Sequence, residues 1–171
     1  MENATQPWVF IALGANLEHP TYGAPRRVLE AALEELGRRE VVVRRVSPWY
    51  RTAPVPASDQ PWYVNAVAEV ETAMAADALL GRLHEIEDVF GRVRTVPNAA
   101  RLIDLDLLDF KGEISTGGPG RAILPHPRME DRAFVLRPLA DLAPGWRHPR
   151  TGVSIRTLLA ALPADQPIER F

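Results

Sequence analysis

Two aspartates lie two residues apart inside an apolar run of this 171-residue chain, Arg101-Leu-Ile-Asp104-Leu-Asp106-Leu-Leu. In a strand, residues i and i+2 share a face, so both carboxylates point the same way, with Cα atoms roughly 6–7 Å apart. Flanked by Ile103, Leu105, Leu107 and Leu108, two such anions repel each other and lose hydration. A hard dication offsets both costs, and Mg²⁺ takes carboxylate oxygens while keeping waters and substrate phosphates. Arg92, Arg94, Arg101, Arg121 and Arg132 surround the pair in sequence, and guanidinium forks match phosphate oxygens bidentately. Metal-binding carboxylates beside phosphate-binding arginines suit phosphoryl transfer. The plainer alternative is an edge strand whose aspartates are solvated or paired with nearby arginines.

Other candidates carry two readings each. Glu87 sits at the edge of an apolar helical stripe, as a boundary residue or a ligand contact. His126, held between Pro125 and Pro127, is either an idle loop histidine or a donor to phosphate. Tyr63 and Asn65 share one strand face, where an aromatic and an amide can stack on and hydrogen-bond a flat heterocycle, or simply pair across strands. Trp49, Tyr50, Trp62 and Phe134 are equally ambiguous. Neither a P-loop nor a dinucleotide-binding glycine pattern is present, and G-x-S-x-G is absent.

These residues need a frame. Trp8–Leu13, closed by Gly14, reads as a buried strand. Helical spacing follows over Pro25–Arg38, with Val28, Leu29, Ala32, Leu33 and Leu36 on one face, Pro25 in the first turn and Gly37 near the stop. Val41–Tyr50 reads as a strand, Arg51–Pro61 as a proline-constrained loop, and Trp62–Glu71 as an alternating, half-buried strand. Asp77–Phe90 reads as a second long helix, Arg92–Ala100 as a polar loop and Arg101–Phe110 as a fourth strand. Gly112–Pro127 is a glycine- and proline-rich excursion, and Ala133–Asp141 and Ser154–Leu162 read as short helices. The order predicts an α+β, ferredoxin-like βαββαβ antiparallel sheet with helices on one face, the other face free for a site, and short helical additions at the end.

Composition narrows the classes. Residues 1–171 suit one domain with a sizeable core. A formal net charge of -2 argues against attraction to nucleic acid or anionic membranes. The absence of cysteine excludes disulfides, thiol catalysis and cysteine-bound zinc. The first residues do not read as a signal peptide, and no apolar stretch approaches the ~20 residues of a membrane span. A cytoplasmic monomer is expected.

Six pieces in order then resemble the 6-hydroxymethyl-7,8-dihydropterin pyrophosphokinases of folate biosynthesis. They are Ala12-Leu-Gly-Ala-Asn16-Leu, Ser47-Pro-Trp-Tyr-Arg51-Thr52, Asp59-Gln-Pro-Trp-Tyr63-Val-Asn65-Ala, Glu87 to Gly91-Arg92-Val-Arg94, Arg101-Leu-Ile-Asp104-Leu-Asp106, and Pro125-His126 to Arg132-Ala-Phe134. The resemblance implies transfer of the β,γ-pyrophosphoryl group of ATP to the pterin hydroxymethyl oxygen, releasing AMP. It implies two Mg²⁺ ions on Asp104 and Asp106, with Arg92 and Arg101 assisting the reaction. Thr52, Val55, Tyr63, Asn65 and Phe134 would hold the pterin. Glu87, Arg94, Arg101, Arg121, His126 and Arg132 would hold ATP. The chain departs from the family's usual Arg-x-Trp-Gly-Pro-Arg before the aspartates, carrying Thr95-Val-Pro-Asn-Ala-Ala-Arg101 instead. A metal-dependent phosphoesterase and a catalytically degenerate ATP- or pterin-binding module are the rival readings.

Overall fold

A computed structural model describes residues 7–92 and 100–171. Strand β1 (Val9–Ala15) runs into helix α1 (Pro25–Arg38), and strands β2 (Val42–Val46), β3 (Tyr50–Thr52) and β4 (Tyr63–Glu71) follow. Helix α2 (Ala76–Val89) precedes β5 (Asp104–Phe110), the hairpin β6 (Ser115–Gly118) and β7 (Arg121–Leu124), helices α3 (Ala133–Leu142) and α4 (Ile155–Ala160), and β8 (Ile168–Arg170). The main sheet has the order β5-β1-β4-β3-β8, with β2 also on β4, and its pairings are antiparallel.

Helix α1 starts with proline in its first turn and buries Val28, Leu29, Ala32 and Leu36. Gly37, expected at the stop, lies within the last turn. The chain instead leaves the helix through Glu40, at φ 67°, with Val41 N–H bonded back to the Leu36 carbonyl at 3.1 Å. Together with Arg39 N–H, which donates to the same carbonyl at 2.9 Å, this backbone closure outweighs the mild cost of a left-handed non-glycine residue. Helix α2 ends with glycine in this role: Gly91 adopts φ 84°, and Arg92 N–H returns to the Glu87 carbonyl at 3.0 Å.

The expected strand Val41–Tyr50 is two strands. Pro48 has no N–H to give a ladder, and Ser47 takes over the pairing, its N–H donating to the Val67 carbonyl at 2.9 Å and its Oγ accepting from Val67 N–H at 3.0 Å.

One sheet face presents Val9, Ile11, Leu13, Ala66, Ala68, Val70, Leu105 and Leu107 to α1 and α2. The expectation that helices lie on one face only is corrected here. Phe10, Ala12, Val67 and Leu108 form a second core with Val135, Leu136 and Leu139 of α3, plus Trp146 and Ile155. Apolar residues on both faces of the central strands exclude water only if both faces are covered. A bulge in β5, where the pairing shifts between Phe10 and Ile11, lets Asp109 share this second face and accept from Trp146 Nε1–H at 2.8 Å. The second core covers only one end of its face. The other end carries Gly14, Asn65, Asp104 and Asp106.

Candidate functional site

The open end of the sheet forms the floor of a cleft of about 430 Å³. Gly14 of β1 lies between Asn65 of β4 and Asp104 of β5, and Asp106 lies across from Ala12. Strand parity therefore delivers the carboxylate pair and the amide to one surface. One wall comes from β3 and the loop after it, including Thr52 and Val55; the other contains Arg132 and Phe134. Tyr63 and Arg101 also line the cleft. A second concavity of about 260 Å³ adjoins it, lined by Leu80, Arg121, Ile123 and His126 among others. Asp106 lines both.

The cleft is braced by neutral hydrogen bonds. Thr52 Oγ1 donates to Asn65 Oδ1 at 2.5 Å, and Asn65 Nδ2 donates to the Leu13 carbonyl at 3.4 Å. Asn16, 3% exposed, accepts from Arg101 N–H at 2.8 Å and donates to Gln60 Oε1 at 3.1 Å and the Pro61 carbonyl at 3.0 Å. It thereby joins the start of the Asp104 strand to the loop that leads into β4.

The charges are concentrated. Asp104 accepts from Arg92 at 2.9 Å on one oxygen and from Arg101 at 2.8 Å on the other. Arg92 also pairs with Glu87, whose carboxylate accepts from Leu105 N–H at 3.0 Å. Glu87 is 0% exposed and its carboxyl is pushed upward, chiefly by burial. It holds Arg92 and the backbone of β5 from the helix side rather than lining either concavity. Burial first, then the charges of Asp104 and Glu87, push Asp106 up to about 7. That cost is what a cation between the two aspartates would relieve.

His126 is drawn down to about 4 by burial and then by Arg132, so the ring is neutral near pH 7. Its Nδ1 accepts from Arg128 N–H at 3.1 Å, which leaves the proton on Nε2 and makes that atom a donor. Arg132 lies over the Phe134 ring at 5.4 Å. Arg121 is exposed and reaches Asp77 at 3.9 Å.

The structure thus gathers Thr52, Val55, Tyr63, Asn65, Arg101, Asp104, Asp106, Arg132 and Phe134 in one cleft, with Arg121 and His126 in the concavity beside it. Arg92 reaches the site through Asp104, and Glu87 stands behind it. Arg94 lies outside the described residues, as does most of the polar loop before Arg101. Sequence reasoning assigned no role to Gln60, Arg128 or Asp131, which also line the cleft. Gln60 lies within the Asp59-to-Ala66 piece, and Arg128 and Asp131 lie between the named residues of the Pro125-to-Phe134 piece, at the two ends of a short 3-10 turn over Met129–Asp131. Among the described residues, no group of three or more metal-capable side chains converges.

Residues 10–144 match the family described as 7,8-dihydro-6-hydroxymethylpterin-pyrophosphokinase. A Pseudomonas aeruginosa protein named 2-amino-4-hydroxy-6-hydroxymethyldihydropteridine pyrophosphokinase is 44% identical over 164 residues, 95% of this chain and 96% of its own. A Synechocystis protein of the same name is 36% identical, over 87% of this chain and 73% of its own. In fold, the chain is similar to a Plasmodium falciparum HPPK-DHPS crystal structure, with a TM-score of 0.64 at 12% identity, covering 94% of this chain and 43% of that one. The chain belongs to the 7,8-dihydro-6-hydroxymethylpterin-pyrophosphokinase family.

Proposed function

We propose that this protein transfers the β,γ-pyrophosphoryl group of ATP to the hydroxymethyl oxygen of 6-hydroxymethyl-7,8-dihydropterin, releasing AMP, a step of folate synthesis. The observation that carries this reading is the meeting of two concavities at one carboxylate, Asp106. The cleft with Tyr63, Asn65, Thr52, Val55 and Phe134 suits a flat heterocycle with hydrogen-bonding edges. The concavity with Arg121 and His126 suits the nucleotide, and Arg101 and Arg132 stand where its phosphates reach the pterin. The strand order, with α1 and α2 on one face, supports a ferredoxin-like core beneath the site.

Asp104 and Asp106 fit Mg²⁺. Both are oxygen donors on one face, and burial together with Asp104 and Glu87 disfavours the charged form of Asp106, a cost that a dication would offset. Two carboxylates leave most of an octahedral shell to substrate oxygens and water, as Mg²⁺ prefers. The expected two ions would supply charge neutralisation at the phosphates and acidify the pterin hydroxyl. The chain's residues do the positioning. Asn65, held by Thr52 and the Leu13 carbonyl, orients the pterin edge. Arg101 and Arg132 align the phosphates, and neutral His126 donates to one of them. The hydroxymethyl oxygen bonds to the β-phosphorus as the bridge to the α-phosphate breaks; the bridging oxygen leaves with AMP, and the hydroxyl proton goes to solvent.

Incubation with ATP, Mg²⁺ and 6-hydroxymethyl-7,8-dihydropterin, with nucleotides resolved by chromatography, tests this. Pterin-dependent AMP is expected. Asp104→Ala is expected to lower turnover by at least ~10²-fold, as loss of an electrostatic stabiliser does, while pterin still binds. ADP or free phosphate in place of AMP would point to an ordinary kinase or a phosphoesterase. ATP binding without turnover would point to a degenerate binding module.

A further inference from the structure

The family match ends at residue 144, yet residues well beyond it reach back to the cleft. Strand β8 adds to β3, with Ile168 opposite Thr52, and Ala53 N–H donates to the Pro167 carbonyl at 3.1 Å. The preceding residue grips the other wall. Gln166 Oε1 accepts from Ala133 N–H at 3.0 Å, and its Nε2 donates to the Asp131 carbonyl at 2.7 Å. Ala133 opens α3, where first-turn N–H groups have no intrahelical partner, and Arg132 before it offers no side-chain cap. One amide side chain therefore holds the peptide groups on both sides of Arg132, the second of them one residue short of Phe134. Gln166 and Pro167 do not line the cleft, but they join its walls, tied to the Thr52–Val55 side through Ala53 and to the Asp131–Phe134 side through Asp131 and Ala133.

We propose that Gln166 is a positioning residue of the pterin site, setting the separation of Phe134 and Arg132 from the β3 wall without touching the substrate. The inference rests on the pterin reading above. A ring held between walls gains full contact only if they stand at stacking distance before it arrives. Walls that must first be ordered subtract that cost from affinity. Gln166 suits the task because it accepts from a helix N-terminus and donates to a carbonyl at once, which neither a carboxylate nor an ammonium can do.

The full chain would be titrated with 6-hydroxymethyl-7,8-dihydropterin in the presence of Mg²⁺ and a non-hydrolysable ATP analogue, alongside thermal melts. Gln166→Ala is expected to weaken pterin binding about fivefold, the loss of one neutral hydrogen bond's worth of order. The analogue's Kd is expected to rise less than the pterin's, through Arg132, and Tm to fall by only about 2–4 °C as α3 loses its cap. Gln166→Glu, which keeps the acceptor and loses the donor, is expected to fall between Gln166→Ala and the parent. Pterin affinity within about twofold of the parent in folded Gln166→Ala overturns the proposal. So does equal weakening of both ligands in step with lost thermal stability. AMP formation by the parent protein is scored separately. If the parent binds pterin without turnover, the activity reading falls and the titration still decides the role of Gln166; if the parent does not bind pterin, both fall.

Discussion

Asn65 depends on a missing side chain. Gly14, in the neighbouring strand, would place a Cβ 2.8 Å from Asn65 Nδ2, closer than real contacts allow, and the amide has little room because Thr52 and the Leu13 carbonyl already hold it. Gly14→Ala is expected to displace the amide and raise the pterin KM about tenfold, within the usual cost of overpacking. The ATP KM should change far less, and steady-state kinetics with each substrate varied in turn would check it. At this scale the carboxylate pair was legible from spacing alone, because strand parity is a local property. The role of Glu87 was not. Its place at the edge of an apolar stripe permitted several readings, and it is the approach of Leu105 N–H and Arg92 in the folded chain that helps explain a wholly buried carboxylate.

The elements show where local patterns stop being sufficient. Residues Pro25–Arg38 were readable as a helix from an apolar stripe and a starting proline. The split of β2 from β3 was less so, since β-branched and aromatic residues run on to Tyr50, and the break comes from what Pro48 cannot donate. Cover on the second sheet face was missed because alternation in β4 placed Val67 among polar residues, and only α3, packed on Phe10, Val67 and Leu108, shows that the strand is buried on both sides. Tyr50 ties that helix to the β3 wall by donating its hydroxyl to Asp141. Burial first, then Asp141, pushes the phenol up to about 12 from its usual 10. A raised folded-state value means the proton is kept in the folded protein where the unfolded chain has lost it. The stability this contributes is complete below pH 10 and is lost as pH rises towards 12. Tyr50→Phe is expected to cost about 1 kcal/mol at neutral pH and to flatten the alkaline fall in stability, both readable from urea unfolding across pH.

Over the whole molecule, the frame was legible from the order of strands and helices, whereas the closing strand β8 was not. Three residues on a sheet edge, with no periodicity to announce them, owe their conformation to the partner they meet. Asp106 is the common wall of both concavities, and under the proposed function this makes each substrate part of the other's environment. Whatever free energy one ligand contributes to the other's binding must be returned in equal measure. Thermodynamic reciprocity allows no one-way effect at equilibrium. Titrating pterin with and without the Mg²⁺-bound ATP analogue, and the analogue with and without pterin, should yield the same ratio of dissociation constants. In Asp106→Ala that ratio should move towards one, because the two sites would have lost the charge through which each senses whether the other is filled.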